Sequence, residues 1–257
     1  MVNEQLRGAV SEEDRGFLYG DGLFETVRVE DGQAPLLERH RERFLNSCHA
    51  LGFCERQAVD GVKVLESLPG REDGLWRVTV TRQDPEAFGG GVGSIRLRHR
   101  PLRDSRSLRA TVVEGLYSPQ MWLAEHKTTS WLRCVEARRR ASLRGFDEAI
   151  MASSSGRLGE ASAANLFLLI DGQWVTPVVE GILPGVVRAA LIEGGRDAGI
   201  ELVEREVVAA DLLMAESVAV TSSGLLVTAV EEVDGQVMDT EAVEELRNAL
   251  DAYLKRQ

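Results

Sequence analysis

Residues 22–29, GLFETVRV, put Leu23, Val27 and Val29 on one parity and Phe24, Thr26 and Arg28 on the other. A period of two predicts a strand with one core face, closed by an Asp31-Gly32 turn. Over 35–53 the period changes: Leu36, Leu37, His40, Phe44, Cys48 and Leu51 recur near helical spacing and Gly52 follows. That predicts a helix with a glycine stop. A short helix over 60–68 and strands over 75–82 and 94–101 come next, with the run Gly89–Gly91 as a loop between the strands. Beyond residue 127 a helix over 130–145 is stopped by Gly145. Short strands follow, with turns at Ser155-Gly156 and Asp171-Gly172. AANLFLLI is continuously apolar and reads as buried on both faces. A proline-opened helix over 183–200, a strand–Ser/Gly loop–strand over 216–235 and a polar amphipathic terminal helix complete the chain. With no internal repeat and no low-complexity linker, the pattern is a mixed α/β (α+β) fold. The boundary is expected near 113–122, giving domains 1–115 and 116–257.

Composition narrows the function. The 257 residues carry a net charge of −11 with no long basic run, which speaks against a nucleic-acid backbone as partner. The nearest basic run, EARRRASLR over 136–144, reads as a solvated helix face. Cys48, Cys54 and Cys134 are odd in number and match no zinc spacing, and the four histidines are unpaired in sequence, so no metal site is expected. Sparse cysteine and the lack of any run of about 18 apolar residues point to a cytoplasmic protein without a membrane span.

Lysine usage is the chemical anomaly. Only three of the thirty basic residues are lysine: Lys63, Lys127 and Lys255. Lys63 falls in an amphipathic helix and Lys255 in a polar tail. Lys127 lies in EHKTTSW, among small hydroxyl residues, a histidine and a tryptophan. Lysine is the side chain that condenses with a carbonyl when its amine sheds its proton; a solvated surface lysine is the alternative. Glu160, before AANLFLLI, is placed to hold a proton on a heterocyclic nitrogen, or to cap a turn. Gly-Val-Val after Leu183-Pro184 opens a helix whose free N–H groups attract an anion. Arg43 in HRERF is a phosphate clamp or a surface arginine paired with a glutamate such as Glu42. TSSGL over 221–225 can cup a phosphate oxygen. Thr26, between Phe24 and Arg28, lines a cavity or sits on an edge strand. Together these are the parts of a pyridoxal phosphate site.

The ordered motifs RGFLYGDGLFETVRV, HRERF, KTTSW, GEASAANLF, GILPGVVR and VTSSGLLVTAVEEVDG resemble the class IV (fold-type IV) pyridoxal phosphate enzymes over residues 14–235. The resemblance implies a small N-terminal α/β domain and a larger domain with a β-barrel-like core that carries the Schiff-base lysine. It implies Lys127 as that lysine and Glu160 as partner of the ring nitrogen. Arg43, the backbone of Val186 and Val187, and Ser223 are implied on the phosphate. Val187 departs from the threonine common there. Thr26 matches aminodeoxychorismate lyases, whereas branched-chain aminotransferases carry glycine and D-amino acid aminotransferases valine. The implied reaction is therefore conversion of 4-amino-4-deoxychorismate to 4-aminobenzoate and pyruvate, with a class IV aminotransferase as alternative. Lys127 and Thr26 are the expected catalytic residues. Phe24 and Arg82 are expected at the substrate, with Arg28, Arg96 and Arg98 as further candidates for its carboxylates. A homodimer is implied as well.

Overall fold

A computed structural model describes residues 9–83, 93–102 and 107–257. The expected glycine-run loop, Gly89–Gly91, lies outside the described residues. The chain divides into two compact units. One takes Met1–Arg103 with His126–Trp131, and the other Asp104–Glu125 with Leu132–Gln257. This is not the division at 115/116: the segment carrying Lys127 groups with the first unit, because its backbone bonds to the first strand.

Unit 1 comprises α1 (Arg15–Tyr19), β1 (Gly22–Val29), α2 (Leu37–Ala50), α3 (Glu55–Glu66), β2 (Gly74–Thr81) and β3 (Ile95–Arg100). The strands form an antiparallel sheet in the order β1-β2-β3. The parity of β1 emerges as expected: Leu23, Val27 and Val29 are buried against Phe44 and Cys48 of α2, Val64 and Leu65 of α3, and Val78 and Val80 of β2. Each such aliphatic side chain contributes about 1.5–3 kcal/mol on burial. The helix expected over 60–68 begins earlier, at Glu55. Asp31 and Gly32 both take positive φ, as a tight hairpin-like reversal requires.

Unit 2 comprises β4 (Leu108–Glu114), α4 (Leu132–Leu143), β5 (Glu148–Ala152), β6 (Arg157–Ala161), β7 (Asn165–Ile170), β8 (Gln173–Pro177), α5 (Val186–Ala198), β9 (Leu202–Arg205), β10 (Val207–Val208), α6 (Ala209–Met214), β11 (Ser217–Ser222), β12 (Leu226–Val233), β13 (Gln236–Val237) and α7 (Val243–Leu254). The main path of its sheet runs β10-β6-β5-β4-β12-β11-β7-β8-β9, with β13 on β12. β6 lies against β7 and β8, and β10 against β8, so the sheet curls back on itself. The continuously apolar run becomes β7, whose Leu166, Phe167 and Leu168 are fully buried. β7 begins only at Asn165; the preceding small residues form the turn from β6. Among the described residues, no helix is long and apolar enough to cross a membrane.

Candidate active site

In unit 1, the segment His126–Trp131 runs antiparallel beside β1. The Phe24 N–H donates to the Lys127 carbonyl at 2.8 Å, and the Thr129 N–H to the Gly22 carbonyl at 2.8 Å. The hydroxyls of Thr129 and Ser130 donate to the carbonyls of Gly22 and Gly20 at 3.4 and 3.1 Å. At Gly20, φ is +67° and a Cβ would stand 2.4 Å from Ser130 Oγ, so glycine is required. The small hydroxyl residues after the lysine are therefore anchors on β1. His126 adds a tie to α2, with Nδ1 3.1 Å from Ser47 Oγ.

Lys127 is half-buried. Its Nζ lies 4.6 Å from the Phe24 ring centroid and 4.8 Å from that of Trp131. These two rings meet edge to face at 5.4 Å. Both present electron-rich surface to a cation.

Strand register extends this group. Thr26 stands opposite Arg77, and Arg77 opposite Arg98. Opposed residues share a face, so Thr26, Arg77 and Arg98 form a row. The Arg77 guanidinium carbon sits 3.5 Å from the Phe24 ring centroid. Its Nε donates to Thr79 Oγ1 at 3.3 Å, and it has no carboxylate partner among the described residues. Burial lowers its pKa to about 10, helped by the charges of Arg98 and Arg100. A desolvated guanidinium of this kind favours an anion beside it.

The opposite parity of β1 holds a residue missed in the sequence. Glu25 is buried between Leu23 and Val27. It accepts from His40 Nδ1 at 2.7 Å, and from Arg43 through Nε at 2.9 Å and Nη2 at 2.5 Å. Burial alone raises a carboxylate, but the Arg43 charge and the bonds from His40 and Arg43 outweigh it and bring Glu25 to about 2. Burial also holds His40 below its ordinary value, against the pull of Glu25. Arg43 is thus oriented by Glu25 from across the core, not by Glu42. The signal was available: a carboxylate on the core parity of a strand needs a cation.

Arg82, expected at the substrate, has all three guanidinium nitrogens engaged within unit 1. Its Nε donates to both carboxylate oxygens of Asp21 at 3.0 Å, and its two terminal nitrogens to the carbonyls of Gly52 and Leu51 at 2.8 and 2.7 Å. The two terminal nitrogens brace the loop after α2, and Nε ties that loop to Asp21, just ahead of β1. Arg28 pairs with Glu30, and Arg96 donates to the Ala9 carbonyl. Arg77, which the strand pattern alone does not single out, is by contrast a desolvated guanidinium without a carboxylate partner among the described residues.

In unit 2, Glu160 is buried and precedes β7 as expected, but it lies within a strand of its own, β6. Its Oε1 accepts from Arg133 Nη2 at 3.0 Å and its Oε2 from the Leu183 N–H at 3.2 Å. Leu183 leads into α5, where Gly185 is the N-cap residue and no side chain caps the helix. Val186 and Val187 point their side chains into the core, which leaves backbone N–H groups as what they offer. A Cβ at Gly185 would stand 1.8 Å from Asn165 Oδ1, while Asn165 Nδ2 donates to the Leu183 carbonyl at 2.8 Å. Ser223 lies in the turn from β11 to β12, where Leu226 is held at φ +51°. Thr221, two residues before Ser223, keeps a buried hydroxyl with no hydrogen-bond partner among the described residues.

A family model for amino-transferase class IV matches residues 22–233. The chain belongs to that family. It is 30% identical over 259 residues to a Methanocaldococcus jannaschii protein assigned as a branched-chain-amino-acid aminotransferase, covering 96% of this chain and 90% of the relative. It is 29% identical to the crystal structure of 4-amino-4-deoxychorismate lyase from Pseudomonas aeruginosa, with a TM-score of 0.79 over 96% of each chain. A Legionella pneumophila protein assigned as a 4-amino-4-deoxychorismate lyase superposes with a TM-score of 0.85 over 98% of each chain; at 24% identity this speaks for the fold alone. The class IV enzymes work with pyridoxal 5'-phosphate, and lyases and aminotransferases both occur among the relatives. Each unit, taken by itself, holds groups that suit that cofactor. Unit 1 supplies a half-buried primary amine against aromatic rings. Unit 2 supplies a buried carboxylate, a helix start without a side-chain cap, and an orphaned Thr221 hydroxyl in the strand that leads into Ser222 and Ser223.

Proposed function

We propose that this class IV enzyme is a 4-amino-4-deoxychorismate lyase, releasing pyruvate and forming 4-aminobenzoate. One observation carries the choice: Thr26 and the desolvated Arg77 stand opposite each other, beside the Phe24 ring that Lys127 also faces. A hydroxyl donor next to a guanidinium without a carboxylate suits a substrate that bears two carboxylates.

Bound pyridoxal 5'-phosphate supplies an aldehyde that condenses with a primary amine and a ring that accepts an electron pair. Lys127 would hold that aldehyde. Glu160 would pair with the ring nitrogen. Arg43, the N–H groups of Val186 and Val187, and Ser223 would hold the phosphate. The freed Lys127 amine would remove the proton from the substrate carbon that bears the amino group. The ether bond to the three-carbon unit breaks, and the departing group takes a proton from Lys127 or the Thr26 hydroxyl to become pyruvate. Loss of that proton and that group leaves the six-membered ring of the substrate aromatic. Arg77 and Phe24 hold the substrate while Lys127 acts.

A second reading is supported by the 30% identity to the Methanocaldococcus jannaschii protein. An aminotransferase on this scaffold would use the same Lys127 and pass the amino group to a 2-oxo acid. Thr26→Val separates the two: it should lower pyruvate release about 100-fold and leave cofactor affinity unchanged. Unaltered pyruvate release would remove the support for the lyase. Lys127→Ala should lower turnover roughly 1000-fold or more under either reading.

Unit 2 exposes Trp122, Leu123, Leu132, Val135 and Leu143, three of them at helical spacing on α4. A second copy of the chain is the occupant proposed for them, in a cytoplasmic homodimer. A monomer mass by light scattering at micromolar concentration would contradict it.

A further inference from the structure

Arg133 belongs to no motif that marked the site in the sequence. It sits in the first turn of α4, 27 residues from Glu160, and the fold brings the two together at 3.0 Å. The guanidinium is itself fixed: Nη1 donates to the Leu116 carbonyl at 3.3 Å and to Met151 Sδ at 3.5 Å, leaving Nη2 aimed at Glu160. The carboxylate is fixed from its other side by the Leu183 N–H on Oε2. Each oxygen of Glu160 is therefore tethered, and the carboxylate plane cannot turn without breaking a charge-assisted bond or a buried backbone bond. A carboxylate held in this way offers its remaining lone pairs in set directions, and a charge-assisted bond to an N–H donor depends on that direction.

We propose that Arg133 is a positioning residue that fixes the Glu160 carboxylate in the orientation that meets the ring nitrogen of the cofactor. The proposal rests on the reading of Glu160 as that nitrogen's partner. Arg133 touches neither cofactor nor substrate in this role; it acts through Glu160. The backbone of Glu160 is already set by β6, so Arg133 governs the direction of the side chain and not its place in the fold. The Leu183 N–H on the same carboxylate also links this orientation to the segment that opens α5. A change at Arg133 is therefore felt first at the ring nitrogen.

The test compares two ligands of the apoprotein: pyridoxal 5'-phosphate and its analogue with the ring nitrogen replaced by CH. Dissociation constants are read by fluorescence quenching for the wild type, Arg133→Met, Glu160→Gln and the double variant. The wild type should prefer the natural cofactor. Arg133→Met should cut that preference about tenfold, leave the analogue's affinity unchanged, and add nothing in the Glu160→Gln background. Arg133→Gln, which keeps a neutral N–H donor, should give an intermediate preference and serves in place of Arg133→Met should that variant unfold. If Glu160→Gln leaves the preference intact, the reading of Glu160 fails. If Glu160→Gln abolishes it while Arg133→Met and Arg133→Gln do not, the positioning proposal alone is overturned. An equal loss of affinity for both ligands in the Arg133 variants would also overturn it, since that marks a general structural defect.

Discussion

Each unit buries a glutamate in a strand and sets an arginine against it, yet the two glutamates are treated differently. Glu25 in unit 1 meets three side-chain N–H donors from His40 and Arg43, both on α2. It is part of the core, and its task is to hold Arg43. Glu160 in unit 2 meets Arg133 and the Leu183 N–H, one donor from a distant helix and one from the segment leading into α5. In the proposed function Glu25 anchors a group for use elsewhere, whereas Glu160 is itself the group in use. The lesson is that a buried carboxylate is not by itself a site: what distinguishes the two is whether the side-chain donors close around the carboxylate or steer it.

The largest test of this contrast is stability. Glu25→Gln leaves the Arg43 charge buried without its counter-ion and should cost about 3–5 kcal/mol in urea unfolding of the apoprotein. Glu160→Gln keeps an acceptor for the Leu183 N–H and should cost about 1–2 kcal/mol. Equal losses would erase the distinction. A smaller effect sharpens the other face of β1. Arg77→Gln should raise KM for the dicarboxylate substrate about 10- to 100-fold, as for a charged contact worth a few kcal/mol, with cofactor affinity unchanged. A changed cofactor affinity and a constant KM would place Arg77 outside substrate binding.

The smallest expected effect is the pH dependence of stability, where unit 2 supplies a second comparison. Glu148 is as buried as Glu25, but its arginine, Arg138, is well exposed. Burial therefore dominates and raises its pKa, against Arg138 and the bonds from Ser162 and Ala149. The signs oppose each other. Glu25, depressed to about 2, contributes stability that is full above the ordinary carboxylate value of 4.5 and is lost as pH falls towards 2. His40, lowered by burial, adds to the loss as pH falls through its ordinary 6.5. Glu148 favours the folded state most below 4.5 and less as pH rises through its raised value. Unfolding free energy measured from pH 7 to pH 3 should fall less steeply for Glu25→Gln than for the wild type. For Glu148→Gln the fall should be steeper. Parallel curves for all three proteins would contradict these assignments.

Much of this was legible in the chain. Lysine scarcity singled out Lys127, and the order of the motifs pointed to the family. The parity of β1 was read correctly for Leu23, Val27 and Val29, and the same parity held the clue to Glu25. Arg77 required the register of β1 against β2, which no single-strand pattern contains. Arg133 required a contact across 27 residues that leaves no periodic trace. The division into units was hidden for a related reason: His126–Trp131 joins β1 through backbone bonds, which any residue can make. β9, β10 and β13 are too short for a period to show.

The central claim is that Lys127, acting beside Thr26 and Arg77, removes a proton and releases pyruvate without a second substrate. The direct measurement is to give the purified holoenzyme 4-amino-4-deoxychorismate with no 2-oxo acid present and to quantify 4-aminobenzoate and pyruvate. The lyase account predicts both products in equal amounts over many turnovers. No product here, together with turnover of amino acids once 2-oxoglutarate is added, would contradict it and leave the aminotransferase.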